Sequence, residues 1–187
     1  MKKESKFGET NAELDPRRKL WEETAADVET ITDGIGKRID RNIRETVIGL
    51  NVLDINTDGS CEGHIDYGKG PFIDIVSKES EELERQLDNA KDKEEAKKIV
   101  DEIERKNLAE RIKIFKYLDD FYKDRQVPFH QRLTIQNKAR GWSRLESQGV
   151  GLQRIEPEEV RKQHLQEYQD EIKAFTEYLK NKFFERQ

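Results

Sequence analysis

The sequence predicts an α+β fold: a small antiparallel sheet, helices packed on one of its faces, and a long charged helical insertion. Three observations carry that expectation. Apolar residues recur at helical spacing in three separate stretches. Two pairs of short alternating segments lie between those stretches, each pair joined by glycine-containing turn chemistry. Charged residues make up 40% of the chain against 33% hydrophobic, which supplies only a lean core.

Residues 1–15 show no periodicity and read as a loose tail, leaving 16–187 as a single domain. Asp15-Pro16 opens a helix, because proline at an early helical position loses no hydrogen bond. Leu20, Trp21, Thr24, Ala25 and Val28 then share a face. A second stripe runs through Ile35, Ile39, Ile43, Val47 and Leu50, with Gly34 and Gly36 between the two helices. After Leu53 the period changes. Asn56-Thr57-Asp58-Gly59 is turn chemistry, a strand is expected at 60–65, and the link through Gly68 and Gly70 leads to a strand at 72–76.

Residues 77–124 form the helical insertion. Ser77 is placed to cap its first helix, and Asp92 with Glu95 has the spacing of a fresh capping box. The segment reads as one long helix or as a helical hairpin turning at 89–92, and a break in stripe phase there favours the hairpin. Two more strands are expected at 130–136 and 142–148 around Arg140-Gly141, and Glu156-Pro157 opens the last helix.

Function is less legible. A lone cysteine excludes an internal disulfide and fits a reducing compartment; with no signal-peptide-like start and no long apolar run, a cytoplasmic protein without a membrane span is expected. The net charge of −5 argues against a generally basic nucleic-acid binder, yet 125–154 carries six basic residues against Glu146 alone. A local anion site survives.

Strand alternation places Glu62, His64, Asp74, Arg132, Thr134, Arg144 and Glu146 on one polar sheet face, with Cys61, Gly63 and Ile65 turned inward. An ordinary solvated face gives the same pattern. His64 is the first candidate for acid–base work near neutral pH, with Glu62 and Asp66 two residues to either side to orient it. Arg132 and Arg144 suit a phosphate or a carboxylate, or else pair with Asp74 and Glu146. No metal site is expected: Cys61 and His64 are assigned opposite faces, and no CxxC or HxxxH spacing occurs. Cys61 as a nucleophile lacks an electropositive setting, so a buried, inert thiol is the expectation.

The run Ser60-Cys61-Glu62-Gly63-His64, following a helix that ends near Leu50-Asn51, resembles bacterial and phage domains of uncharacterised function that carry a Ser-Cys-x-Gly-His motif. More distantly it resembles the methyltransferase family of tRNA wybutosine synthesis, in which a Thr-Ser-Ser-Cys-Ser-Gly-Arg segment precedes Lys-Gly and a strand. Ser60, Cys61 and Gly63 match, as do Lys69 and Gly70; His64 replaces the arginine of that family and Glu62 its serine. The resemblance covers about one-seventh of the chain and implies S-adenosylmethionine and an RNA base as ligands.

The resulting expectation is a domain binding an anionic ligand, a nucleotide or RNA segment, on its polar sheet face. Ser60, Cys61, Gly63, Asp74, Arg132 and Arg144 would bind it, and His64 and Glu62 would act as the acid–base pair. The alternative is a non-enzymatic protein–protein interaction module that uses 77–124, a helical homodimer included.

Overall fold

The computed structural model describes residues 15–33, 35–67, 69–152 and 155–185. Of the expected loose tail only Asp15 falls within them, and Gly34 and Gly68 lie outside. The chain forms an antiparallel four-stranded sheet and five helices, in the α+β arrangement expected.

Helix α1, Pro16–Thr30, is capped by Asp15, whose carboxylate accepts the Arg17 amide. Helix α2, Arg41–Val52, begins later than the apolar stripe suggested. Ile35 is 88% exposed in the connection between the helices, where Thr32 and Arg38 form an isolated bridge. The two helices pack through Val28, Val47 and Ile48, and Trp21 reaches the aromatic rings of Phe183 and Phe184.

Strand β1 spans Thr57–Cys61 and β2 spans Phe72–Ile75, so β1 ends where it was expected to begin. Strands β3, Leu133–Asn137, and β4, Ser143–Ser147, form the second hairpin through Arg140-Gly141. The strand order is β1-β2-β4-β3, which joins the two hairpins along β2 and β4. Ile73 lies opposite Leu145, and both are fully buried.

Between the hairpins, α3 (Ser80–Asp88) and α4 (Lys93–Tyr122) turn back on each other at 89–92, the helical hairpin that the broken stripe predicted. Asp92 accepts the amides of Glu94 and Glu95, and the Glu95 carboxylate reaches back to the Lys91 amide. Helix α5, Glu158–Glu185, closes the fold. One core unites Ile43 and Leu50 of α2, Ile114 and Leu118 of α4, Ile172, Phe175 and Leu179 of α5, and the inward strand residues Ile73, Ile75, Leu133 and Leu145. Burying this set against one sheet face leaves Phe72, Asp74, Thr134, Arg144 and Glu146 on the other.

Within the core, the Tyr122 hydroxyl donates to the buried Glu171 carboxylate (2.7 Å) and accepts the Leu133 amide (2.7 Å), and Arg125 completes the ion pair with Glu171. The end of α4, the start of β3 and the middle of α5 are thereby tied at one point. Among the described residues no helix is long and apolar enough to cross a membrane.

Candidate functional site

The Cys61–His64 segment folds differently from the simple alternation expected of it. A register shift between Thr57 and Ser60 puts Ser60 opposite the buried Ile73 and Cys61 opposite Phe72. Cys61 therefore turns to the outer face instead of the core, and it is half-buried rather than enclosed. Past Cys61 the chain leaves the sheet. Gly63 adopts φ +87°, and a Cβ there would stand 2.7 Å from Leu165 Cδ1 and 2.8 Å from the Pro71 nitrogen. Only glycine fits that bend. His64 then pairs with Lys69 by backbone hydrogen bonds of 2.8 and 3.3 Å across a short 3₁₀ turn.

The bend sends neighbouring side chains apart. The Glu62 carboxylate accepts the Asn42 amide (3.0 Å) and so caps α2. Its carbonyl accepts from the Gln169 side chain of α5 (3.0 Å). Glu62 is thus a helix cap facing the α2–α5 cleft, on the side away from His64. The residue beside His64 is Asp40, which the sequence reading did not single out.

Asp40 occupies the cap position of α2 without capping it. Its carboxylate instead accepts the Glu62 amide (3.2 Å), meets His64 Nε2 at 3.3 Å and pairs with Lys37 at 2.8 Å. Burial works against its ionisation, but the bonds from Lys37, the Glu62 amide and His64 outweigh it and hold the carboxyl below its ordinary range. The Cys61 thiol is pushed up, first by burial and further by Asp40, against the opposing Gly63 amide. It stays protonated at neutral pH, which removes it as a ready nucleophile.

These residues line a cleft of about 420 Å³ between the α1–α2 connection and β1, with Ser60, Lys69 and Phe72 in its wall. One donor atom from each of Asp40, Cys61 and His64 lies within 4.8 Å of the others. The expectation that Cys61 and His64 face apart, on which a metal was set aside, is therefore corrected. Lys37 pairs with Asp40 at 2.8 Å, so a cation there would compete with that ammonium.

Across Phe72 the outer face carries the rest of the expected set, rearranged. Arg144 makes two 2.7 Å bonds to Asp74, through Nε and one terminal nitrogen, and its guanidinium carbon sits over the Phe72 ring, 3.7 Å from the centroid. Asp74 and Arg144 thus satisfy each other. Arg132 goes elsewhere: its guanidinium covers the Tyr122 ring at 4.5 Å. Glu146 is raised above the ordinary carboxyl range by burial, which outweighs the attraction of Lys138 and Arg144. A second depression, about 310 Å³, is lined by Lys69, Phe72, Lys138, Arg144 and Glu146.

A further cluster went unnoticed in the sequence. His164 and Glu167 share a face of α5 at helical spacing, and His130 joins them from the turn before β3. The i,i+3 pair was visible in the predicted helix; the approach of His130 depends on tertiary structure alone.

Comparison of the chain with protein-family models, curated proteins and solved structures finds no match.

Proposed function

We propose that the protein is a binding module for a small anionic ligand of nucleotide type, held on the outer sheet face between the Cys61–His64 cleft and the depression beside Arg144. The observation that carries this reading is that Lys69 and Phe72 line both depressions and make one continuous surface of them. Neither Lys69 nor Lys138 closes an ion pair among the described residues, so two ammonium groups remain to meet phosphate oxygens. Arg144, pinned between Asp74 and Phe72, is a fixed planar cation against which a base can stack. His64, held against Asp40, flanks the same surface. The resemblance at Ser60, Cys61 and Gly63 adds S-adenosylmethionine to the ligands worth testing.

Calorimetric titration with AMP, ATP, S-adenosylmethionine and a short single-stranded RNA tests the reading. Binding of a mononucleotide, weakened at least about tenfold in the Lys69→Ala/Lys138→Ala double variant, is the expected result; each charge-assisted contact contributes about 1.5–3 kcal/mol. Absence of binding across the panel, or binding indifferent to both lysines, overturns it. Tight binding of RNA alone would replace the mononucleotide reading.

A second reading is favoured by one separate observation. Leu108, Ile112 and Phe115 form an i, i+4, i+7 stripe on α4, each close to half exposed. That is an unpartnered apolar face on the insertion expected to serve protein contacts.

A further inference from the structure

We propose that His130, His164 and Glu167 form a binding site for a divalent transition-metal ion of the zinc class, with a coordination position left open to water. The site lies at the edge of the fold where α5 passes the start of β3 and the loop after β4, and it shares no residue with the outer-face surface.

One nitrogen of each imidazole and one Glu167 oxygen lie within 4.8 Å of one another, close enough to converge on a single ion. Two imidazoles and a carboxylate suit a borderline cation, and three protein ligands with a vacant fourth position are the usual pattern of a reactive zinc site. His130 Nε2 meets Glu167 Oε2 at 2.9 Å, so a shared proton sits where a metal would replace it. The ring centroids of His130 and His164 are 4.6 Å apart.

The surroundings point the same way. His164 Nδ1 meets Glu156 Oε2 at 3.0 Å, and Glu156 is 17% exposed. A carboxylate on Nδ1 fixes the tautomer and presents Nε2, the arrangement that supports metal-bound histidines. His130 is held from behind: its carbonyl accepts the Gly149 amide at 2.8 Å. Gly149 is required there, because a methyl at that position would collide with the Tyr168 hydroxyl and stand 2.8 Å from His130 Cβ. The Tyr168 hydroxyl, in a fully buried residue, has no hydrogen-bond partner among the described residues. The Tyr168 ring lies 6.1 Å from that of His130 and 5.9 Å from that of His164. An orphaned buried hydroxyl beside two histidines is a place for a bound water. A structural His–Glu pair alone accounts for neither that hydroxyl nor the Glu156 support.

The ligand side chains are 20–31% exposed, which leaves a path for an ion and room for water on it. Glu156 and Glu167 place two carboxylates beside the imidazoles, and that local charge favours a cation.

Calorimetric titration of the metal-free full chain with Zn²⁺, paired with the visible spectrum of the Co²⁺ form, tests the proposal. The expected result is one equivalent bound, a Co²⁺ spectrum without thiolate charge-transfer bands, and unchanged binding in Cys61→Ser. His164→Ala and Glu167→Gln should each weaken binding at least about tenfold, and Glu156→Gln by about 10- to 100-fold. Glu167→Gln keeps the side-chain volume, so its Zn²⁺-dependent rise in melting temperature, compared with that of wild type, decides the matter even if His164→Ala fails to fold. No Zn²⁺ binding by wild type, or binding lost in Cys61→Ser and retained in Glu167→Gln, overturns it.

Discussion

Two carboxylates on the outer side of the molecule respond to pH in opposite directions, and the contrast follows from what each one touches. Asp40 is stabilised as an anion by Lys37, the Glu62 amide and His64, so its folded-state pKa lies below the unfolded value. Its contribution to stability is complete above an unfolded pKa of about 3.9 and is lost as pH falls through the lower folded value. Glu146 is raised by burial, so its ionisation costs stability, fully so once pH exceeds the raised folded value. Asp40→Asn is therefore expected to be less stable than wild type at pH 7, and Glu146→Gln more stable. Both differences should shrink toward zero in acid. Urea unfolding at pH 7 and at about pH 3 checks the sign; a Glu146→Gln variant less stable at neutral pH would show that Lys138 and Arg144 outweigh burial.

At the scale of elements, the helical hairpin is tied to the sheet by a few polar contacts in addition to the apolar packing of α4. Asn107, 1% exposed, accepts the Ser77 amide (2.7 Å) and the Ser80 hydroxyl (3.0 Å) and donates to the Arg140 carbonyl (3.0 Å). Arg111 adds bonds to the Ser143 hydroxyl and the Gly141 carbonyl. Asn107→Leu leaves buried backbone groups unpaired, at about 1–3 kcal/mol each. Amide exchange in α3 and in the first half of α4 is expected to accelerate while that of β2 and β4 stays slow; uniform acceleration would mean that the hairpin and sheet open as one unit.

That anchoring was illegible in the sequence, where Asn107 is one polar residue inside a helical stripe. The hairpin itself was legible, because the apolar phase breaks at 89–92 and Asp92 and Glu95 sit at capping distance. The strands of the second hairpin were found to within a few residues, since alternation survives in Leu133, Ile135 and Leu145. For the Cys61–His64 segment the expected conformation was wrong in detail. Period-2 reasoning continues a strand through Gly63, whereas the register shift and the positive φ of Gly63 end it at Cys61. Asp40 escaped notice because the stripe from Ile35 carried the predicted helix across it, hiding the cap position that frees its carboxylate.

For the whole molecule, the question is what the lean core leaves uncovered. Most of the apolar face of α4 is absorbed by the sheet and α5, through Ile114, Leu118 and Phe121. Leu108, Ile112 and Phe115 point the other way on the same helix and remain 48–49% exposed. A second copy of the chain is the occupant this geometry suits, because a stripe repeating at helical spacing meets itself across a two-fold axis with no other surface required. Because each is already about half buried, covering these three side chains contributes roughly 1 kcal/mol each before the cost of association, which sustains only a weak dimer. Sedimentation equilibrium over a wide concentration range is expected to show reversible dimerisation, abolished in Ile112→Lys with the fold retained. A chain that stays monomeric at the highest concentrations would leave the stripe without a self-partner and would count against α4 as a dimer interface. A dimer insensitive to Ile112→Lys would shift the contact to another face and leave the outer sheet surface around Lys69 and Lys138 as the place to look.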